Sequence, residues 1–155
     1  MRARGFTLIE MIIVVMIVGI LASAAVPLAA LHQRRQHEAE LRTGLRTIRL
    51  ALDAYKKAWE QGQIEKKEGE TGYPPTLDVL VSGVADARQP TAKRIYFLRR
   101  LPRDPFSPAP MPASATWGLR SYASPPDQPQ AGADVFDVYS RADGAGLDGV
   151  PYRQW

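Results

Sequence analysis

Two sets of acidic residues in this sequence have the type and spacing to do chemistry. The first is a single carboxylate, Glu10, set in an otherwise apolar run from Phe6 to Val26. A charged side chain costs about 2.5–3.5 kcal/mol at the centre of a bilayer on insertion scales, unless a counter-charge meets it. Glu10 therefore points to a partner. The second set is Asp143 and Asp148 in "SRADGAGLDGVPY", two carboxylates separated by a glycine-rich turn. Such a turn can gather carboxylate and backbone carbonyl oxygens, the donor set of a hard cation such as calcium. The same residues fit two Asp-Gly turns with no ion.

Other candidates carry less. Gly144, Gly146 and Gly149 satisfy G-x-G-x-x-G after a strand-like run, but a dinucleotide fingerprint must open a helix in a βαβ unit, and only the six residues 150–155 follow. His32 and His37 stand five apart, a poor fit to one helical face, and read as surface histidines. Asp104, between two proline steps in "LPRDPFSP", reads as a turn cap rather than a catalytic acid. No H-E-x-x-H, P-loop, nucleophile elbow or His-paired serine appears, so no catalytic constellation is in view and a non-enzyme is expected. There is no cysteine, which rules out disulfides and thiolate metal sites. A net charge of +4 does not by itself imply nucleic acid, and 155 residues make one modest domain.

The elements that must position these residues begin with the apolar segment. From Phe6 to Leu31 it is long enough to cross a hydrocarbon core, which takes roughly 20 helical residues. Arg2 and Arg4 precede it, so the positive-inside rule places the N-terminus in the cytoplasm. Three uses compete. One is a secretory signal cut at Ala22-Ser23-Ala24, another a plain anchor, and the third a segment trimmed at its cytoplasmic end and kept. Only the third gives Glu10 a purpose.

The stretch "RGFTLIEMIIVVMIVGILASAAVP" resembles the N-terminus of type IV pilins and type II secretion pseudopilins. The resemblance implies that a prepilin peptidase cuts after Gly5 and methylates the new terminal residue, Phe6. It also implies that Glu10, the fifth residue of the trimmed chain, meets the terminal amine of a neighbouring subunit when subunits assemble. Thr7 and Leu8 fit the same pattern. Pro27 removes one helical hydrogen bond, which predicts a kink or loosening; in the family the helix continues past it.

Beyond Pro27, Leu41, Leu45, Ile48, Leu52, Tyr55 and Trp59 recur at steps of four and three, with Ala51 and Ala58 widening the stripe. Arg34, Arg35, Glu38, Glu40, Arg42, Arg46, Arg49, Lys56 and Lys57 are assigned to the wet faces, with Glu38 and Arg42 as an i,i+4 pair. A coiled coil is the alternative to docking on a sheet, but the stripe is short and ends in two aromatic residues. Arg42, Arg46 and Arg49 form a basic stripe suited to a solvated face or a surface meeting other subunits; contact with DNA is the minority reading.

The expected organisation is a leader over 1–5, an assembly helix over 6–31, an amphipathic helix over 32–60, a variable loop region over 61–100, and an antiparallel sheet with a C-terminal loop over 101–155. In the loop region Thr76 is expected to cap a short helix holding Leu77, Leu80 and Val81. Leu101, Pro102, Arg103, Asp104, Pro105 and Phe106 form a turn similar to one in the major pseudopilins. "TWGLRSYAS" and "VFDVYSR" read as strands of a hairpin or meander. The fold class is thus α+β, with one long helix packed on a small sheet.

The resemblance is to the major, calcium-associated pseudopilin. There the corresponding C-terminal loop binds calcium; this chain matches at Ala142-Asp143-Gly144 and offers Asp148, but its loop is shorter and lacks a later acidic pair. The partners implied are further copies of the chain in a helical filament, other pseudopilins, an inner-membrane secretion platform and a prepilin peptidase. A single-pass inner-membrane protein with a periplasmic domain is expected. The alternatives are a type IV pilus subunit and, from a different class, a soluble periplasmic binding domain released after Ala24.

Overall fold

The computed structural model describes residues 7–89, 93–108 and 110–155, with backbone alone at 24–26. The chain divides into two compact units, Met1–His37 and Glu38–Trp155. One helix, α1 (Leu8–Glu60), runs through Pro27 without ending. Proline lacks the N–H that an interior helical position donates, so one backbone bond of the helix is missing there.

In the first unit α1 is apolar and uncovered. Ile9, Val15, Met16, Ile20 and Leu21 are each more than 60% exposed. The helix is long and apolar enough to cross a membrane, and none of its most apolar stretch is buried within the protein. Apolar surface of that extent demands lipid or other protein around it.

In the second unit the expected stripe is the core. Leu41, Ile48 and Leu52 are at most 1% exposed, with Leu45, Ala51, Tyr55 and Ala58 also buried. Each large aliphatic side chain so enclosed contributes about 1.5–3 kcal/mol. The stripe packs with Leu77, Leu80, Leu101, Trp117, Val135 and Val138 rather than with another helix, so the docking reading stands over the coiled coil. Gly44 explains the close fit: a Cβ there would lie 3.2 Å from the Trp117 ring.

The strands are short. β1 (Val84–Ala85) pairs antiparallel with β2 (Arg94–Ile95), and β3 (Trp117–Arg120) with β4 (Asp137–Ser140). In the second pair Trp117 faces Ser140 and Arg120 faces Asp137. Two-stranded ribbons are marginal alone and rely here on the helix beneath them. Two 3₁₀ turns, Ala113–Thr116 and Tyr152–Gln154, complete the fold.

Three local expectations are corrected. The loop region 61–100 contains the β1–β2 ribbon as well as helix α2 (Asp78–Ser82). Thr76 does not cap α2: the N-cap is Leu77 with no side-chain bond, and Thr76 contributes only its carbonyl, to Val79 N–H at 3.3 Å. Glu38 is not on the wet face; it is 4% exposed, because the Leu147 N–H and the buried Tyr152 hydroxyl of the C-terminal loop cover and satisfy it.

Candidate functional site

The start of α1 is built by two residues that bond each other. The Thr7 hydroxyl accepts from the Glu10 backbone N–H at 3.3 Å, while Glu10 Oε2 accepts from the Thr7 backbone N–H at 3.2 Å and from its hydroxyl at 3.3 Å. This is a reciprocal capping box, encoded as T-x-x-E in "TLIE", and it satisfies donors that a helix start otherwise leaves open. A carboxylate there also faces the positive end of the helix dipole. Glu10 Oε1 has no partner among the described residues. Glu10 thus has one oxygen engaged and one available, on an exposed surface. Gly5 and Phe6, the expected cleavage pair, lie outside the described residues. Pro27 sits exposed inside the helix.

At the other end of the sequence, the glycine-rich turn closes on itself. Gly146 N–H donates to Val150 O at 2.8 Å, Gly149 N–H to Gly146 O at 2.9 Å, and Ala145 pairs with Pro151 as a bridge. Gly144 and Gly149 take positive φ values of 103° and 81°, which favour glycine. Among the described residues the chain leads from this turn into the short 3₁₀ turn Tyr152–Gln154.

Asp143 and Asp148 are not brought into one site. Asp148 Oδ2 accepts from Arg42 at 2.9 Å and Oδ1 from Val150 N–H at 3.1 Å. Asp148 lines a hollow with Arg42, Arg46, Leu50 and Trp155, whereas Asp143 lines a different one with Arg141 and Arg153. Among the described residues no group of three or more His, Cys, Asp or Glu side chains is placed to hold a metal ion. Calcium takes six to eight oxygens, and among the described residues no group of acidic side chains gathers around these two carboxylates to begin such a shell.

The arginine stripe is used mostly inside the protein. Arg42 pairs with Asp148 instead of Glu38 and lies 4.1 Å over the Trp155 ring. Arg49 donates to Asp137 at 2.8 Å, to Val138 O at 3.1 Å and to Trp155 O at 2.7 Å. Glu38 Oε1, in turn, accepts from Leu147 N–H at 2.9 Å and the Tyr152 hydroxyl at 3.0 Å.

Two buried aspartates act as joints. Asp104 accepts from Phe106 N–H at 2.9 Å and the Ser140 hydroxyl at 2.6 Å, so the expected turn cap also ties the proline turn to β4. Asp134 accepts from Thr71, from the Ser121 hydroxyl at 2.7 Å and from Tyr122 N–H at 2.9 Å. Burial pushes its carboxyl up, but these donors outweigh burial and hold it below the ordinary value. Of the histidines, His32 is exposed with Gln36 at 3.0 Å, and His37 is half-buried.

Residues 1–26 match the prokaryotic N-terminal methylation motif. The chain is 31% identical to the type II secretion system core protein G of Klebsiella pneumoniae over 97% of its own length and 89% of the relative's. It is 30% identical to the Vibrio cholerae protein of the same name over 95% and 90%. A type IV major pilin protein, PilA of Myxococcus xanthus, is 38% identical over 48% of this chain and 33% of the relative. No solved structure matches the chain. The motif accounts for the segment that carries Glu10, and the likeness to core protein G extends across the buried stripe and the C-terminal loop alike; by that end-to-end similarity the chain belongs to the type II secretion system core protein G family.

Proposed function

We propose that this chain is the structural subunit of a pseudopilus in a type II secretion system, assembled through α1 to push substrates outward across the outer membrane. The observation that carries this reading is the end-to-end likeness to core protein G, combined with an uncovered apolar helix that bears one carboxylate at its start. In this account the chain sits in the inner membrane with its N-terminus cytoplasmic and residues 38–155 periplasmic. A prepilin peptidase trims it after Gly5. The amine created at Phe6 of one subunit meets the available Oε1 of Glu10 on another, so the charge is compensated only within the assembly. The apolar flanks then pack against one another in a helical filament. We assign the chain no catalytic step; energy for assembly comes from an ATPase on the platform.

The test is the mass of the mature N-terminus in cells that carry the peptidase. A methylated Phe6 is expected, and a chain starting at Ala25 would sink the reading in favour of a released periplasmic domain. A type IV pilus subunit is the second reading, favoured by the likeness to PilA, which covers only a third of that protein. Loss of secreted enzymes from a deletion strain, with pili intact, separates the two.

A further inference from the structure

We infer that the C-terminal loop is held by cationic and anionic side chains of α1 in place of a divalent cation, so that its order is independent of calcium. The expectation of an ion rested on Asp143 and Asp148, and the structure gives Asp148 to a guanidinium. Both Asp148 oxygens accept from protein N–H groups, Arg42 at 2.9 Å and Val150 at 3.1 Å. A divalent ion at Asp148 would have to approach within a few ångströms of the Arg42 charge, which is itself fixed over Trp155 at 4.1 Å. Like charges at such range repel, and a cation would also have to displace the two N–H donors that already occupy both Asp148 oxygens.

The neighbouring contacts divide the work an ion would do. A bound calcium gathers backbone and side-chain groups of a loop around one centre. Here Glu38, one helical turn before Arg42, gathers Leu147 N–H and the Tyr152 hydroxyl on a single buried oxygen. Arg49, two turns beyond Arg42, gathers Trp155 O, Val138 O and Asp137. Residues 38, 42 and 49 fall on one face of α1, because four and seven residues are one and two helical turns. The loop is shaped to receive them: a Cβ at Gly146 would lie 2.3 Å from the Trp155 ring and 2.6 Å from Asp148. Of the three, Glu38 carries most. The Arg42–Asp148 pair is about half exposed on both sides, and exposed pairs are weak, whereas Glu38 is buried and charged hydrogen bonds in such places are strong.

The inference rests on the fold of residues 38–155 and not on assembly, so a failed N-terminal mass test would leave it standing. Hydrogen exchange on the full chain in detergent micelles reads it directly, with calcium chloride or a chelator as the only variables. The amides of Leu147, Val150 and Tyr152 are expected to exchange at the same rate with and without calcium. They should speed roughly tenfold or more in Glu38→Ala, as befits loss of bonds to a charged group, less in Arg42→Ala, and not at all in Asp143→Asn. Amides of Leu45 and Ile48 serve as the control for global unfolding; if Glu38→Ala fails there, Glu38→Gln and Arg42→Ala provide the same comparison. Calcium-dependent protection that disappears in Asp143→Asn overturns the inference. So does a loop that is indifferent to Glu38→Gln and Arg42→Ala alike.

Discussion

Helix α1 carries two glutamates whose surroundings are opposite. Glu10 stands exposed among exposed isoleucines and valines, with one oxygen turned back on Thr7 and the other available. Glu38 is buried and takes two donors from the C-terminal loop on one oxygen. The same side chain on the same helix is thus left exposed in one region and built into the fold in the other. What differs is whether the chain itself supplies the partner. Where it does, the carboxylate belongs to the fold; where the described residues do not, the proposed assembly supplies the partner.

Substitution should pull these two roles apart, most of all at the first glutamate. Glu10→Ala is expected to leave cleavage after Gly5 and the thermal midpoint of the globular unit unchanged, yet to abolish filament formation, as read by sheared-filament yield. Normal filaments from that variant would break the contrast. On the folding side, Trp117→Ala should cost about 3–5 kcal/mol, as a fully buried ring seated against Gly44; thermal denaturation by circular dichroism measures it. Asp104→Ala should cost about 1–3 kcal/mol by stranding the Ser140 hydroxyl and Phe106 N–H.

Acid sharpens the contrast further. The Asp134 carboxyl lies lower in the folded chain than its ordinary 3.8. Its contribution to stability is accordingly full above that value and is lost as pH falls through the lower folded value. Asp134→Asn should flatten the acid limb of the stability profile, as read by thermal denaturation across the acid range. The smallest effect is expected from Arg42→Ala, below about 1 kcal/mol in global stability because the pair with Asp148 is exposed.

The apolar stripe and the strands of the C-terminal third were legible because their information is local. Periodicity of four and three names Leu41 to Trp59 as one face, and alternation names "VFDVYSR". The β1–β2 ribbon was not legible, since two-residue strands are too short to show alternation. Glu38 was misplaced for a different reason: a charged residue on a helix is ordinarily wet, and the donors that bury it lie 109 and 114 positions away. Asp134 is a similar case, joined to Thr71 across 63 positions. The capping box, by contrast, is readable in "TLIE", a T-x-x-E pattern directly before an apolar run. The calcium expectation rested on two Asp-Gly steps, and spacing alone cannot show that Arg42 reaches one of them.

The reciprocal bonds of Thr7 and Glu10 have a consequence for maturation. A cut between Gly5 and Phe6 leaves Thr7 as the second residue, with its amide N–H and hydroxyl intact. Among the described residues, the hydrogen bonds that start the helix all lie downstream of the proposed cut. On the proposed cleavage, none of the described bonds between Thr7 and Glu10 has to break for the leader to leave, so trimming and the capping of α1 are separate events.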